Sequence, residues 1–597
     1  MALLVDLPSE LVLLILSYGS FRDILSFRLI SRFYHTLVSD SIDLQYRILL
    51  QVSGMLDNPC SGLPLQIRYE KLKERERAWF TLRPRFTKNI PVEHPTVVLY
   101  DLSVDVYMLS DEARQSIDNI TLPSNAEDPV PPWQSLHIKD LVTDDSQIHR
   151  KILDFGILQE QDLIAVVTTL TDLPTDILNM RVSCVQRSTG KPHPLAGPPM
   201  SLVFDVHTYC PGLDLNGDLA ALTLQTNESE SRVVVLNWKT STIQAEFKSF
   251  SCRYGAATFI CQGVLLVPNI IGPCIELWRI PIPSSEPPPV MTTPNLTLKM
   301  PSVNSRVELE EFSCRGAPKP SSCNDNIPSQ RPFHSDPDQS ILVFHLFTTM
   351  EFWSQGHRVV PFAFFVHRKT FLELLRSHEA SIDNVTRHDD RNSPITIPWS
   401  SWGPPKTRFL YQSFSGQSSN TDWITTACGQ RYIFFHYLRE GYPMIVLDFN
   451  EHTVNRVRDA VCRSQEKMLQ QNPRFALGYD SSQLELDIPL LGMKVPLSVK
   501  GYDGMERQVV GWSWDPLPKK LGIPDDNVYG GPYRTTNTLL QRVFFSEPVY
   551  GNLPYVMFCS EEDYTFDGAM MDDERVLGVK RGDLHEGVSS VDVVWFG

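Results

Sequence analysis

The chain has 597 residues, length enough for roughly two to five domains. Its 42% hydrophobic and 21% charged residues give a globular composition, not a disordered one. With 70 acidic against 54 basic side chains the net charge is −16, which argues against general binding to phosphate backbones. Eleven scattered cysteines with no C-x-x-C pair fit neither a disulfide scaffold nor a zinc ribbon. Reduced thiols in a cytoplasmic or nuclear protein are expected.

The first 50 residues are helical in pattern. Leu11 to Leu16 is a wholly apolar run, but Asp6 and Glu10 precede it where a secretory leader needs positive charge. The run is also too short to cross a bilayer, and no membrane contact is expected. A helix capped by Ser9, with Pro8 ahead of it and Glu10 in its first turn, is predicted. Leu11, Leu14 and Ile15 make one stripe, while Val12, Leu13 and Leu16 make the helix apolar nearly all round. Such a helix needs burial on more than one side, and so short a segment implies an external partner surface.

A second helix is predicted from about Asp23, with Ile24, Phe27, Ile30, Phe33 or Tyr34, and Leu37 or Val38 at a 3.6-residue period. A third runs from Leu63 to about Phe80, where Leu65, Tyr69, Leu72 and Trp79 share a face. The eight basic residues between Arg68 and Lys88 read as a solvated helix face, with Glu70–Lys73 and Glu74–Arg77 pairs.

From about residue 90 the pattern turns to strands. Val97–Tyr100, Leu163–Thr168, Arg232–Leu236, Val264–Val267, Ile341–Phe347 and Ile445–Phe449 are β-branched or aromatic runs of strand length. Proline-rich stretches at 281–294 and 317–332 read as loops, and insertions are expected near 281–335, 378–395 and 460–530. A repeat runs beneath them. Trp238 and Trp278 lie 40 residues apart in comparable strands, and His367 and Asp448 or Phe449 follow at about two further units each. Gly217–Leu222 and Gly263–Leu266, upstream of the first two, suit inner strands. A unit of about 40–45 residues matches one four-stranded propeller blade. Residues 90–597 exceed what seven blades of about 45 would use, so insertions must absorb the excess.

No nucleophile elbow, phosphate loop, dinucleotide loop or zinc-protease helix occurs. Asp214, Asn216 and Asp218 resemble the start of a calcium loop, but Leu219 takes the glycine position and Gln225 the glutamate position. Asn216-Gly217 reads as a tight hairpin turn instead. Cys314, Cys323 and His334 match no zinc spacing, and no metal is expected there. Asp572, Asp573 and Glu574 read as a solvated turn, because consecutive residues cannot flank a scissile bond. Four N-x-[ST] sequons, at Asn119, Asn227, Asn295 and Asn384, leave open a secreted propeller hydrolase with a misread leader.

Leu7-Pro8-x-Glu10-Leu11, Ile15-Leu16-Ser17-Tyr18, Arg22-Asp23-Ile24-Leu25 and Arg28-Leu29-Ile30-Ser31-Arg32 closely resemble the F-box motif, over about 35 residues. Gly19 stands where that family prefers leucine, and Phe21 where it prefers proline; both are expected to shorten the first helix and weaken the contact. The remainder resembles F-box proteins abundant in mushroom-forming fungi. The echoes are Glu74–Trp79, Trp399-x-x-Trp402-Gly403-Pro404, Gly429–Tyr432, Leu553-Pro554-Tyr555 and Met571–Arg575. The resemblance implies a mainly β chain: an all-α F-box at 1–45, a helical linker at 46–89, and a β-propeller with long loop insertions at 90–597. It implies a non-catalytic substrate receptor of an SCF-type cullin–RING ubiquitin ligase that needs no cofactor. The matched positions for a Skp-type adaptor are Leu7, Pro8, Leu11, Ile15, Leu16, Leu25, Leu29, Ile30 and Tyr34, with Leu7, Pro8 and Leu16 outermost. A protein substrate would bind the propeller; its contact residues are not legible. A propeller scaffold using the F-box in a non-degradative complex is the alternative.

Overall fold

The computed structural model describes residues 7–141, 150–170, 178–204, 208–226, 231–249, 252–281, 290–320, 331–352, 356–384, 395–411, 425–434, 441–457, 495–500, 506–513, 544–547, 549, 551–582 and 585–597. N-terminal helices precede a seven-bladed β-propeller.

The first helix, α1, is Ser9–Ser17. Pro8, not Ser9, holds the cap position, and no side chain caps it, so the expected serine cap is absent. Its α-compatible φ and missing N–H still suit a helix start. The predicted second helix is two. α2 (Phe21–Arg28) is closed by a capping box in which Ser20 and Asp23 bond each other's backbone N–H. The Ser20 hydroxyl, donating to the Asp23 carboxylate at 2.7 Å, and then the Ser20 N–H hold that carboxyl below its ordinary pKa. α3 (Arg32–Asp40) restarts because the Ser31 hydroxyl accepts from Tyr34 N–H at 3.3 Å. α4 (Ile42–Ser53) is capped by Ser41 and stopped by Gly54 at φ 67°, a conformation that favours glycine.

α5 is Leu65–Thr81. The Glu70–Lys73 pair forms at 3.3 Å, but Glu74 pairs with Arg85 at 2.9 Å, not with Arg77. Nor is the helix solvated throughout, because Arg75 and Glu76 are buried. They pair with each other, and their other partners, Asp573 and Arg431, lie hundreds of positions away, which a local pairing rule cannot see.

Blade 1 spans residues 96–137, blade 2 150–204, blade 3 208–249, blade 4 258–299, blade 5 307–411, blade 6 427–564 and blade 7 568–595. Each has four antiparallel strands; blades 3 and 4 add a parallel outer strand and blade 6 an outer hairpin. The ring closes by sharing. Phe86–Pro91, which follows α5, pairs with Ser590–Trp595 as the outermost strand of blade 7. The 40-residue repeat is real: Trp278 and His367 lie in third strands, Asp448 ends one, and Trp238 directly follows one. Leu219–Leu222 and Val264–Leu266 fall in second strands, one place out from the innermost. Excess length enters at the first-to-second connection of blade 5, residues 316–340, and at the third-to-outer connections of blades 5 and 6, residues 368–406 and 449–555. Large parts of the expected insertions lie outside the described residues.

Neighbouring blades are stitched by a recurring contact. Asp101, Asp154 and Asp214 sit on the first strands of blades 1 to 3. Each accepts a hydrogen bond from the first strand of the next blade: Ile157 N–H at 2.9 Å, Leu213 N–H at 2.8 Å and Phe259 N–H at 2.8 Å. Burial raises the Asp154 carboxyl to about 7, against the pull of the Leu213 N–H, of Arg315 and of the Phe155 N–H.

Antiparallel order puts first-to-second and third-to-outer connections on one propeller face, and second-to-third turns and interblade connections on the other. The helical module lies on the first of these faces. There Arg75 meets Asp573 in the first-to-second turn of blade 7. Likewise Val52 meets Asn450 after the third strand of blade 6.

Candidate interaction surface on the helical module

Four short helices cannot enclose every apolar side chain they carry. The bundle core takes Val12 and Leu16 from α1, Ile24 from α2, Tyr34 and Val38 from α3, and Leu44 from α4. Leu7, Leu13 and Phe27 pack partly against it. What remains outside is α1's other face: Leu11, Leu14, Ile15 and Tyr18, at i, i+3, i+4 and i+7, are all exposed, Tyr18 by 85%. Leu29 and Ile30 in the α2–α3 turn, and Phe33 opening α3, are exposed as well, Leu29 by 84%. Seven large apolar side chains left exposed on one small module are more than singly scattered surface residues, as at a partner site.

The structure divides the nine sequence-derived positions. Leu11, Ile15, Leu29 and Ile30 are exposed, Pro8 is exposed, and Leu7 and Leu25 are half-buried. Leu16 and Tyr34 are in the core, at 7% and 5% exposure. This corrects the expectation that Leu16 is outermost. It lies four residues, one helical turn, from Val12 and shares its inward face, whereas Leu11 and Ile15 share the outward one. Tyr34 is held by ring contacts to Phe27 at 4.4 Å and Phe33 at 5.3 Å. Leu14, Tyr18 and Phe33 belong to the exposed set without having been named for it. The signal for two of them was present, since Leu14 and Tyr18 complete the stripe begun by Leu11.

The acidic triplet is not a solvated turn; Asp572, Asp573 and Glu574 are all buried. Asp572 accepts from the Glu574 and Arg575 N–H groups at 2.8 and 2.9 Å. Asp573 accepts from Ser335 N–H and from the Cys428 thiol, both at 3.1 Å. Glu574 meets the guanidiniums of Arg575 at 3.0 Å and Arg331 at 3.2 Å. Both arginines also bind Asp105 in the first turn of blade 1. Burial acts to raise Asp105, but the two guanidiniums outweigh it and bring it down to about 2. Asp573 is likewise held low by Arg75 and Ser335 against its burial, while burial keeps Asp572 high. Three adjacent acids tolerate burial here because Arg75, Arg331 and Arg575 surround them.

The remaining constellations are structural. Asn216 pairs with Leu219 across a two-residue hairpin turn, with Gly217 at φ 57°. Asp214 binds Lys319 at 2.5 Å and Asp218 binds Lys239 at 2.6 Å, so the two carboxylates serve different partners. Cys314 is buried in the blade 5 core, His334 lies in the strand Phe333–Ser335, and Cys323 is outside the described residues. Among the described residues no group of three His, Cys, Asp or Glu side chains is placed to hold a metal ion. Asn119 is buried and donates its amide to the Gln134 carbonyl at 2.8 Å, which leaves no room for a glycan.

Residues 4–51 match the F-box-like family. No curated protein matches the chain. Among solved structures, the polycomb repressive complex 2 of Chaetomium thermophilum is similar at 11% identity and a TM-score of 0.37, over 86% of this chain and 97% of that one. The WD40 domain of SCAP from fission yeast is similar at 7% identity and a TM-score of 0.23, over 57% and 69%. A GH43 β-1,3-galactosidase is similar at 9% identity and a TM-score of 0.22, over 46% and 60%. At these scores the likenesses carry no functional argument.

Proposed function

We propose that this chain is the substrate-recognition subunit of an SCF-type cullin–RING ubiquitin ligase, acting in the cytoplasm or nucleus. The observation that carries the reading is the two-sided α1: Val12 and Leu16 hold the bundle together while Leu11, Leu14, Ile15 and Tyr18 are left uncovered. The F-box-like match over residues 4–51 supports a Skp-type adaptor as what covers them. Leu29, Ile30 and Phe33 are further exposed apolar side chains of the same helical module, and desolvating apolar anchors is where binding energy concentrates.

The chain itself catalyses nothing in this reading. Its propeller holds a protein substrate, and proximity to the charged conjugating enzyme raises the effective concentration for ubiquitin transfer. The substrate face is the one opposite the helical module, formed by second-to-third turns and interblade connections. Domain limits of 1–45, 46–89 and 90–597 remain part of the proposal, although α4 runs across residue 45.

Co-purification with recombinant Skp-type adaptor and cullin tests this. The full chain is expected to elute with both, and Leu11→Asp/Ile15→Asp with neither. Adaptor without cullin would favour the non-degradative scaffold.

A further inference from the structure

The chain's net charge is −16, yet between Asp23 and Asp40 it carries no acidic residue and holds Arg28, Arg32 and His35 instead. The α2–α3 turn lies at the centre of that stretch. Leu29, Ile30, Ser31, Arg32 and Phe33 are exposed without a break. Arg28 ends α2, with its guanidinium 3.0 Å from His35 Nε2.

Ser31 has φ −157° and ψ 163°, an extended backbone between two helices. Its oxygen accepts from the Tyr34 N–H at 3.3 Å, and among the described residues its own O–H meets no acceptor. Arginine stands three positions before it and one after it. Other hydroxyls of the module are placed differently. That of Ser20 is turned onto the Asp23 carboxylate at 2.7 Å, and Ser26 and Thr36 lie inside helices, where the backbone is not extended. Ser41 stands between Asp40 and Asp43.

We propose that Ser31 is the phosphorylation site of an arginine-directed protein kinase, and that the phosphate switches off partner docking at the α2–α3 turn. Kinases select substrates by charge pattern, and an acidic kinase pocket is complementary to Arg28. The Ser31 oxygen attacks the γ-phosphorus of ATP, the bond from that phosphorus to the bridging oxygen breaks, and ADP leaves. The hydroxyl proton passes to the kinase's carboxylate base. The product places about two negative charges beside Leu29, Ile30 and Phe33, side chains that a partner must desolvate. Burying such a charge against an apolar partner is costly. The fold tolerates it, because a phosphate oxygen can accept the Tyr34 N–H in place of the hydroxyl and Arg28 and Arg32 flank the new charge. The switch rests on the adaptor reading of this surface; the modification itself belongs to the free chain.

The full chain, free of partners, is incubated with ATP, magnesium and the catalytic subunit of an arginine-directed kinase, and phosphate is mapped by mass spectrometry. Ser31 is expected to take it, and Arg28→Ala to slow the transfer at least about tenfold. Ser31→Asn, which keeps an oxygen at the cap, is expected to take none at that position. Phosphate on other residues but not on Ser31, or an unchanged rate in a folded Arg28→Ala, overturns the site. Calorimetry with purified Skp-type adaptor then reads the switch. The phosphorylated chain is expected to bind at least about a hundredfold more weakly than the unmodified one, with thermal unfolding unchanged. Equal affinity overturns the switch. If the unmodified chain does not bind the adaptor, the adaptor reading and the switch fall together, while the mapping on the free chain still decides the site.

Discussion

The guanidinium of Arg75 donates to the backbone carbonyl of Asp573 at 2.6 Å, across 498 positions of chain. That bond ties α5 to the blade whose outermost strand, Phe86–Pro91, follows α5 directly. Blade 7 is therefore held to the N-terminal part of the chain twice, by a strand ladder and by a helix clamped through buried charge.

Glu76 sits between two guanidiniums with almost no access to water, so its loss should be felt throughout the molecule. Removing one member of a buried charged network costs about 3–5 kcal/mol, against at most about 1 kcal/mol for an exposed pair. Glu76→Ala is expected to lower the urea midpoint markedly, and Glu74→Ala, which breaks only the exposed pair with Arg85, hardly at all. Equal effects would refute the clamp.

The acid limb of stability should depend on Asp105. Its folded pKa of about 2 lies below the unfolded value near 3.9, so its contribution is complete above about pH 4 and is lost as pH falls towards 2. A shift of that size corresponds to roughly 2–3 kcal/mol. Asp105→Asn is expected to destabilise the chain at pH 7 and to converge with the wild type near pH 2. Denaturation midpoints across that range report it.

Asp154 has the opposite sign. Its folded pKa near 7 exceeds the unfolded value, so the stability it contributes is fully present below about pH 4 and is lost as pH rises towards 7. Asp154→Asn keeps an oxygen to accept the Leu213 N–H while removing the buried charge. The variant is expected to gain stability over the wild type at pH 8 and to show no such gain at pH 4. A gain at pH 4 alone would reverse the assigned sign.

On α1, neighbouring leucines should behave differently. Leu16→Ala opens a cavity in the bundle and is expected to cost about 2–5 kcal/mol. Leu11→Asp/Ile15→Asp changes only exposed positions and should leave thermal unfolding within about 1 kcal/mol of the wild type. Matched losses in both would mean that the stripe is part of the fold.

Much of this architecture was legible in the sequence, for stated reasons. The 3.6-residue period marked α1, α5 and the α2–α3 stretch, and the Trp238–Trp278 spacing gave the propeller unit. The break between α2 and α3 was not, because the apolar period continues through Leu29 and Ile30 and only the Ser31 hydroxyl interrupts it. An all-round apolar helix also cannot say which side its own bundle takes, which is why Leu16 was misplaced and Tyr18 overlooked. The burial of Asp572 to Glu574 and of Arg75 and Glu76 was invisible for a different reason. Their partners, Asp105, Arg331 and Arg431, are brought there only when the ring closes.

The most direct measurement is the affinity of purified Skp-type adaptor for the full chain by titration calorimetry, beside Leu11→Asp/Ile15→Asp. The wild type is expected to bind with a negative heat-capacity change, as apolar burial requires, and the double variant to lose at least about a hundredfold in affinity. Unchanged binding by a folded double variant, or none by the wild type, would contradict the assignment of the α1 stripe as the adaptor surface.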